Sequence, residues 1–247
     1  MNRCCVVVPV YDHPDCLEWL VSSLRETGLD TLMVNDGSDA ICSDLLRDIS
    51  DREPWITLIE RPSNGGKGAA VKTGLRAAAG LGYSHALQLD ADGQHDLADI
   101  PHLLELSRSD PSAVISGAPD YRDVPLVRLY GRYLTHIWVW INTLSLEIRD
   151  SMCGFRIYPL EATLKVLENN YTGDRMDFDP EILVRLHWEG VRVIQFRTKV
   201  TYPRDGISHF RFLRDNALIS WMHTRLFFGM LGRLPGLLLR NRRADVR

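Results

Sequence analysis

The chain has 247 residues, 45% of them hydrophobic and 25% charged, with a formal net charge of −3. That is an ordinary globular composition, long enough to bury one large core, and one α/β domain with a short appendage is the natural division. Five cysteines, with Cys4 and Cys5 inside an apolar run, do not make a disulfide framework and fit a reducing compartment.

No stretch reaches the ~18 uninterrupted apolar residues that a spanning helix needs. The nearest, Leu126 to Ile148 and Leu218 to Leu239, are broken by Arg128 and Arg132 and by Arg225 and Arg233. Met1-Asn2-Arg3 leads straight into a strand pattern, so no secretory signal is expected. From Ile207 to the end, eight arginines face Asp215 and Asp245, a balance of +6 that leaves −9 for the remainder. An acidic body with a basic, apolar-rich end calls for an anionic partner at that end.

In chain order, Cys4 to Val10 reads as a buried strand and Pro14 to Glu26 as a helix. Thr31 to Asn35 is a second strand, followed by a turn at Asp36-Gly37-Ser38 and a helix capped at Ser38 or Asp39. Ile56 to Ile59 is a third strand, Gly68 to Ala79 an alanine-rich helix, and Ala86 to Leu89 a fourth strand ending in Asp90-Ala91-Asp92. A helix over Ile100 to Ser107 and a strand over Ala113 to Ser116 close the first half. Strands buried on both faces and alternating with helices imply a doubly wound, mainly parallel sheet with helices on both faces. In the second half a long amphipathic helix is expected from Val127 to Leu146, then a loop and short strand over Asp150 to Tyr158. Helices over Leu160 to Glu168 and Pro180 to Trp188 follow, with one or two strands in Val191 to Thr201 and an amphipathic helical tail beyond Phe210. The expected division is a catalytic domain over 1–206 and a basic tail over 207–247.

Ligands of such sheets bind beyond the carboxyl ends of the strands. Three of those ends are polar here: Tyr11-Asp12, Asp36 to Asp39, and Asp90-Ala91-Asp92-Gly93-Gln94. So many acids on one edge repel unless a cation or a donor-rich ligand lies among them. Hard divalent ions take oxygen ligands, and Mg²⁺ commonly uses one or two protein carboxylates and completes its shell with phosphate oxygens. Asp-x-Asp-Gly by itself is also an ordinary polar turn; the two other acidic strand ends favour a site. Asn64-Gly65-Gly66-Lys67-Gly68 has two readings, a phosphate cradle at a helix N-terminus or a glycine-rich first turn packed closely under the sheet. It is not a Walker A loop, and no dinucleotide fingerprint follows the first strand.

Val8-Pro9-Val10-Tyr11, Val34-Asn35-Asp36-Gly37-Ser38-Asp39, Asn64-x-x-Lys67-Gly68-x-Ala70-x-x-x-Gly74 and Leu89-Asp90-Ala91-Asp92-Gly93-Gln94-His95 stand in this order over about a hundred residues. Together they resemble the family 2 glycosyltransferases of GT-A fold. The resemblance implies a nucleotide-sugar site of Pro9, Tyr11, Asp12, Asp36, Lys67, Asp90, Ala91 and Asp92, with Tyr11 stacked on the base and Asp36 bonded to it. It also implies Mg²⁺ or Mn²⁺ held by Asp90, Asp92 and Gln94 against a UDP- or GDP-linked diphosphate. At Asp12 the family commonly has Asn.

Asp150-Ser151-Met152-Cys153-Gly154-Phe155-Arg156, Phe178-Asp179-x-Glu181-Ile182-Leu183 and Arg204-x-Gly206-x-Ser208 are similar to segments of the dolichyl-phosphate and polyprenyl-phosphate sugar synthases. That likeness implies a lipid acceptor, a polyprenyl phosphate or a lipid hydroxyl, and phosphate binding by Arg156, Arg204 and Ser208. His209 departs from the lysine usual after that serine.

The implied reaction is an inverting transfer. A hydroxyl acceptor would need a general base, which a phosphate would not. Asp150 is the candidate for the base or for orienting the acceptor, and Asp179 the next; Asp150 reads equally as a loop acid paired with Arg149 or Arg156. The tail reads as an in-plane helix on the cytosolic membrane surface, or as a core-capping or dimerising helix. A nucleotidyltransferase is disfavoured because no basic glycine loop follows the first strand. A non-catalytic nucleotide-sugar binder remains the other alternative, and no nucleic acid is expected as a partner.

Overall fold

A computed structural model of the chain describes residues 3–120, 126–201 and 211–244. Arg204 and Ser208, expected at the phosphates, lie outside the described residues.

The elements are β1 (Cys4–Val10), α1 (Pro14–Arg25), β2 (Thr31–Asn35), α2 (Ala40–Arg52), β3 (Ile56–Glu60), α3 (Lys67–Gly80), β4 (His85–Gln88) and α4 (Ile100–Ser109). They continue with β5 (Val114–Pro119), α5 (Leu126–Thr143), β6 (Arg156–Pro159), α6 (Leu160–Asn169), α7 (Phe178–Trp188), β7 (Val193–Thr198), α8 (Phe212–Leu231) and α9 (Leu234–Ala244). One seven-stranded sheet runs β3-β2-β1-β4-β6-β5-β7. Every pairing is parallel except those of β6, which is antiparallel to both β4 and β5.

The apolar residues of β1 alternate between two cores. Cys5 and Val7 face the helices α3, α6 and α7, whereas Val6, Val8 and Val10 face α1, α2 and α4. Helix α3 lies close under the sheet because Gly74 has no side chain: a Cβ there would stand 2.3 Å from Val7 Cγ1. Register aligns Val10 with Asn35 and Val7 with Gln88, so the carboxyl ends of β1, β2 and β4 open on one edge.

The C-terminal helices join this body. Ile219, Met222 and Leu226 of α8 share a core with Val139 of α5 and Phe178 and Ile182 of α7. This part of the segment expected as a basic tail thus shares the core beneath the sheet. Its outward face carries exposed Trp221, Phe228 and Leu231 among the polar residues Ser220 and Thr224. No helix among the described residues is long and apolar enough to cross a membrane.

Candidate active site

The β1 and β2 ends are stitched together by their own polar residues. Asp12, in the left-handed region at φ 51°, accepts from the Asp39 N–H at 2.8 Å, and its own N–H donates to Ser38 Oγ at 3.2 Å. Asp39 then caps α2 through the Cys42 N–H. Tyr11 is half-buried beside them, its phenol pushed above its ordinary value first by the Asp12 charge and then by burial.

Asp36 is buried at the end of β2. Its Oδ1 accepts from Arg61 Nε at 2.7 Å and from the Gly65 N–H at 3.0 Å, and its Oδ2 from the Gly66 N–H at 2.7 Å. The Gly65 and Gly66 amides are thus engaged by a protein carboxylate. Arg61 donates onward to Ala69 O and Thr73 Oγ1 on α3. It fixes where that helix starts, and so where Lys67 stands.

Lys67 carries the centre of the site. Its Nζ lies 2.8 Å from Asp90 Oδ2 and 2.8 Å from Asp179 Oδ2. Desolvation opposes the ammonium, but the two carboxylates outweigh it and raise its pKa. Burial likewise pushes Asp90 up, yet Lys67 and His95 together hold its carboxyl well below the usual range. His95 Nε2 is 3.5 Å from Asp90 Oδ2, with the imidazole stacked on Phe155 at 5.1 Å. Gly154 closes the opposite side, since a Cβ there would stand 2.6 Å from Asp90 Oδ2 and 2.7 Å from Lys67 Nζ.

Asp92 Oδ1 accepts from the Gln94 N–H at 3.1 Å, and Gln94 O accepts from the Thr201 N–H. Burial and then the Asp90 charge raise the Asp92 pKa, as neighbouring carboxylates do. Asp90 Oδ1 is buried and lacks a hydrogen-bond partner among the described residues. No group of three His, Cys, Asp or Glu side chains is poised around a metal among the described residues. An orphaned carboxylate oxygen beside a second, repelled carboxylate nevertheless fits a hard cation that completes its shell from a diphosphate.

Two expected site residues lie deeper than the sequence implies. Asp150 is 0% exposed. Its Oδ1 accepts from the Met152 and Cys153 N–H groups at 2.8 Å each, and its Oδ2 faces Arg132 Nε at 3.1 Å and His136 Nε2 at 3.4 Å. The arginine partner is Arg132 of α5, rather than Arg149 or Arg156, and the carboxylate shapes the 150–154 loop that ends on Gly154. Arg156 is also 0% exposed. Its fork donates to Ser151 O at 2.6 Å, Asp179 O at 2.7 Å and Tyr158 OH at 3.3 Å. The expectation that Arg156 grips a phosphate is corrected accordingly: the guanidinium is enclosed and braces the site from behind. Pro9 lies within β1, and Ala91 is buried between the two acids of its triplet.

Arg61, Gln88, His95, Arg132, Gly154 and Tyr158 gained no role from the sequence. A lone arginine one residue past β3, level with the acid past β2, was one available signal. His95 stands in the same motif as the Asp90 it meets, and the rest depend on contacts remote in sequence.

Solved structures share this architecture. A mannosyltransferase from Pyrobaculum calidifontis in complex with GDP-Man and Mn²⁺ superposes with a TM-score of 0.60 at 17% identity, over 94% of this chain and 64% of its own. Glucosyl-3-phosphoglycerate synthase from Mycobacterium tuberculosis, with Mn²⁺, UDP and glucosyl-3-phosphoglycerate, reaches 0.64 at 14% identity, over 94% and 80%. The shared fold is the GT-A architecture. Residues 5–164 match the Glycosyl transferase family 2 pattern, and the chain belongs to that family, whose members use nucleotide sugars. A dolichyl-phosphate beta-glucosyltransferase of Trichomonas vaginalis is 29% identical over 190 residues, which are 72% of this chain; the match spans 55% of the relative's length.

Proposed function

We propose that the protein transfers a sugar, with inversion, from a UDP- or GDP-linked donor to a lipid acceptor, at the cytosolic surface of a membrane. The observation that carries this reading is the rim where Lys67, Asp90 and Asp92 meet, with Asp90 Oδ1 left without a partner.

Asp90 and Asp92, with Gln94 beside them, would hold Mg²⁺ or Mn²⁺. When bound, the ion would neutralise negative charge growing on the leaving diphosphate. Lys67 offers a fixed positive charge at the same edge, and Tyr11 presents a ring to the base from the end of β1. The Asp36–Arg61 clamp sets the height of α3 and with it the reach of Lys67. Asp150 shapes the acceptor-side loop, and its engaged oxygens fit an orienting role better than a base. A phosphate acceptor, already anionic, needs no base. The dolichyl-phosphate enzyme among the relatives supports that acceptor class.

Support for the membrane surface comes from two helices. Leu134, Ile137, Trp138 and Ile141 form an exposed stripe on α5, and Trp221, Phe228 and Leu231 another on α8. Trp138 stacks on His223 and meets Phe227 edge-on, so the stripes adjoin. Helices α5 and α9 contain no acidic residue, and the one on α8, Asp215, is buried. Arginine-bordered apolar helices of this kind suit an anionic lipid surface.

The test is a screen of radiolabelled UDP- and GDP-sugars against membrane lipid extract, with and without Mn²⁺. A labelled lipid formed only with the ion is the expected result. Absence of lipid label with every donor, together with label on a soluble product, would overturn the acceptor assignment.

A further inference from the structure

Asp179 is the acid whose placement invites a base, standing in the first turn of α7 within reach of the rim. Its oxygens are nevertheless committed. Oδ2 meets Lys67 Nζ at 2.8 Å, and Oδ1 accepts from Gln88 Nε2 at 3.1 Å. The Gln88 amide is itself oriented, because the Tyr158 hydroxyl donates to Gln88 Oε1 at 3.1 Å. Arg156 completes the brace by donating to the Asp179 carbonyl at 2.7 Å, with Nη1 3.8 Å from Oδ1. Gln88, Tyr158 and Arg156 are fully buried on β4 and β6. Apart from Arg156 Nε, which has no partner among the described residues, the polar atoms of this buried network are paired, and displacing one leaves another unpaired.

Lys67 differs from this backing in one respect. Its side chain is 17% exposed, against 6% for Asp179. An ammonium has three N–H groups. Two are directed at Asp90 and Asp179, and the third is left for whatever binds at the rim.

We propose that Asp179 is a positioning residue that acts through Lys67: braced by Gln88, Tyr158 and Arg156, it anchors the ammonium so that its remaining N–H meets the donor diphosphate. This rests on the reading of the rim as the nucleotide-sugar site. It assigns Asp179 no part in taking a proton from the acceptor, and it gives Gln88 and Tyr158 a function.

A double-mutant cycle on the full chain separates positioning from base catalysis. UDP and GDP binding with Mn²⁺ is measured by calorimetry, and kcat by sugar transfer at saturating donor, for Lys67→Met, Asp179→Asn and the pair. Each single change is expected to weaken nucleotide binding by roughly 30-fold or more, and Asp179→Asn to lower kcat no further than Lys67→Met does. The double variant should bind no worse than Lys67→Met alone, because Asp179 has nothing left to position.

Losses that multiply in the double variant would overturn the proposal. So would an Asp179→Asn protein that binds normally while kcat collapses, which is the signature of a base. If Asp179→Asn does not fold, Gln88→Leu serves instead. It should raise the donor KM and spare kcat, and a fall in kcat at unchanged KM contradicts the proposal. A wild-type chain that binds neither nucleotide refutes the site reading itself, whereas normal wild-type binding that Asp179→Asn leaves unchanged refutes this inference alone.

Discussion

At the scale of single residues, the site is organised by what touches Asp90 and Asp36. Gly154→Ala would put a methyl into van der Waals overlap with both Asp90 and Lys67. The pair must then separate, and nucleotide binding should weaken about tenfold, or about 1.4 kcal/mol, while the thermal melt moves little; calorimetric titration beside a melt checks both. Arg61→Met leaves the Asp36 carboxylate buried without its charged partner, so stability in urea should fall by about 3 kcal/mol. The acids at the strand ends were legible in the sequence because each belongs to a short local motif at the end of an apolar run. Their partners were not. Lys67 and Asp179, or Arg132 and Asp150, meet only through the fold, and no spacing rule relates them. For the same reason Arg156 passed for a phosphate ligand: a loop motif shows an arginine but not which way the chain turns after it.

At the scale of elements, the first half was readable almost residue for residue, since buried parallel strands and capped helices follow from local pattern. The antiparallel direction of β6 was not, because a short apolar strand pairs equally well either way until its neighbours are placed. Helix α8 carries two consequences. Glu181 of α7, fully buried, accepts from Arg185 at 2.7 Å, from Arg225 of α8 at 3.1 Å and from the Gly173 N–H at 2.8 Å. Lys72 of α3 in turn holds the carbonyls of Thr172 and Gly173. Arg225 therefore ties α8 to the loop that supports α3, a role hidden when it is read as a surface charge. His223 is the second. It is buried against Trp138, 3.3 Å from Asn142 Nδ2, and burial lowers its pKa from 6.5 to about 4. The folded state thus keeps the ring neutral while the unfolded chain protonates near 6.5, so stability is full above that value and declines as pH falls toward 4. Between pH 7 and pH 5 the loss should be about 2 kcal/mol. Urea unfolding at the two pH values measures it, and His223→Phe should remove most of the difference.

At the scale of the whole molecule, the acidic sheet edge and the basic, apolar helices α5, α8 and α9 divide the charge that the sequence displays only as a skew toward one end. Composition revealed the skew, but not that α8 packs into the core with one apolar face and exposes apolar residues on another, because burial depends on which helices lie beneath. The full chain should float with vesicles containing anionic lipid, lose that binding at high salt, and lose it without unfolding when Trp221 and Phe228 are both changed to Ser. The most direct test of the central claim is nucleotide binding at the rim. Titration of UDP and GDP into wild type and Asp92→Asn, with and without Mn²⁺, should show one of the two nucleotides binding wild type only when the ion is present, and neither binding the variant. Equal binding by both proteins regardless of Mn²⁺ would contradict the account.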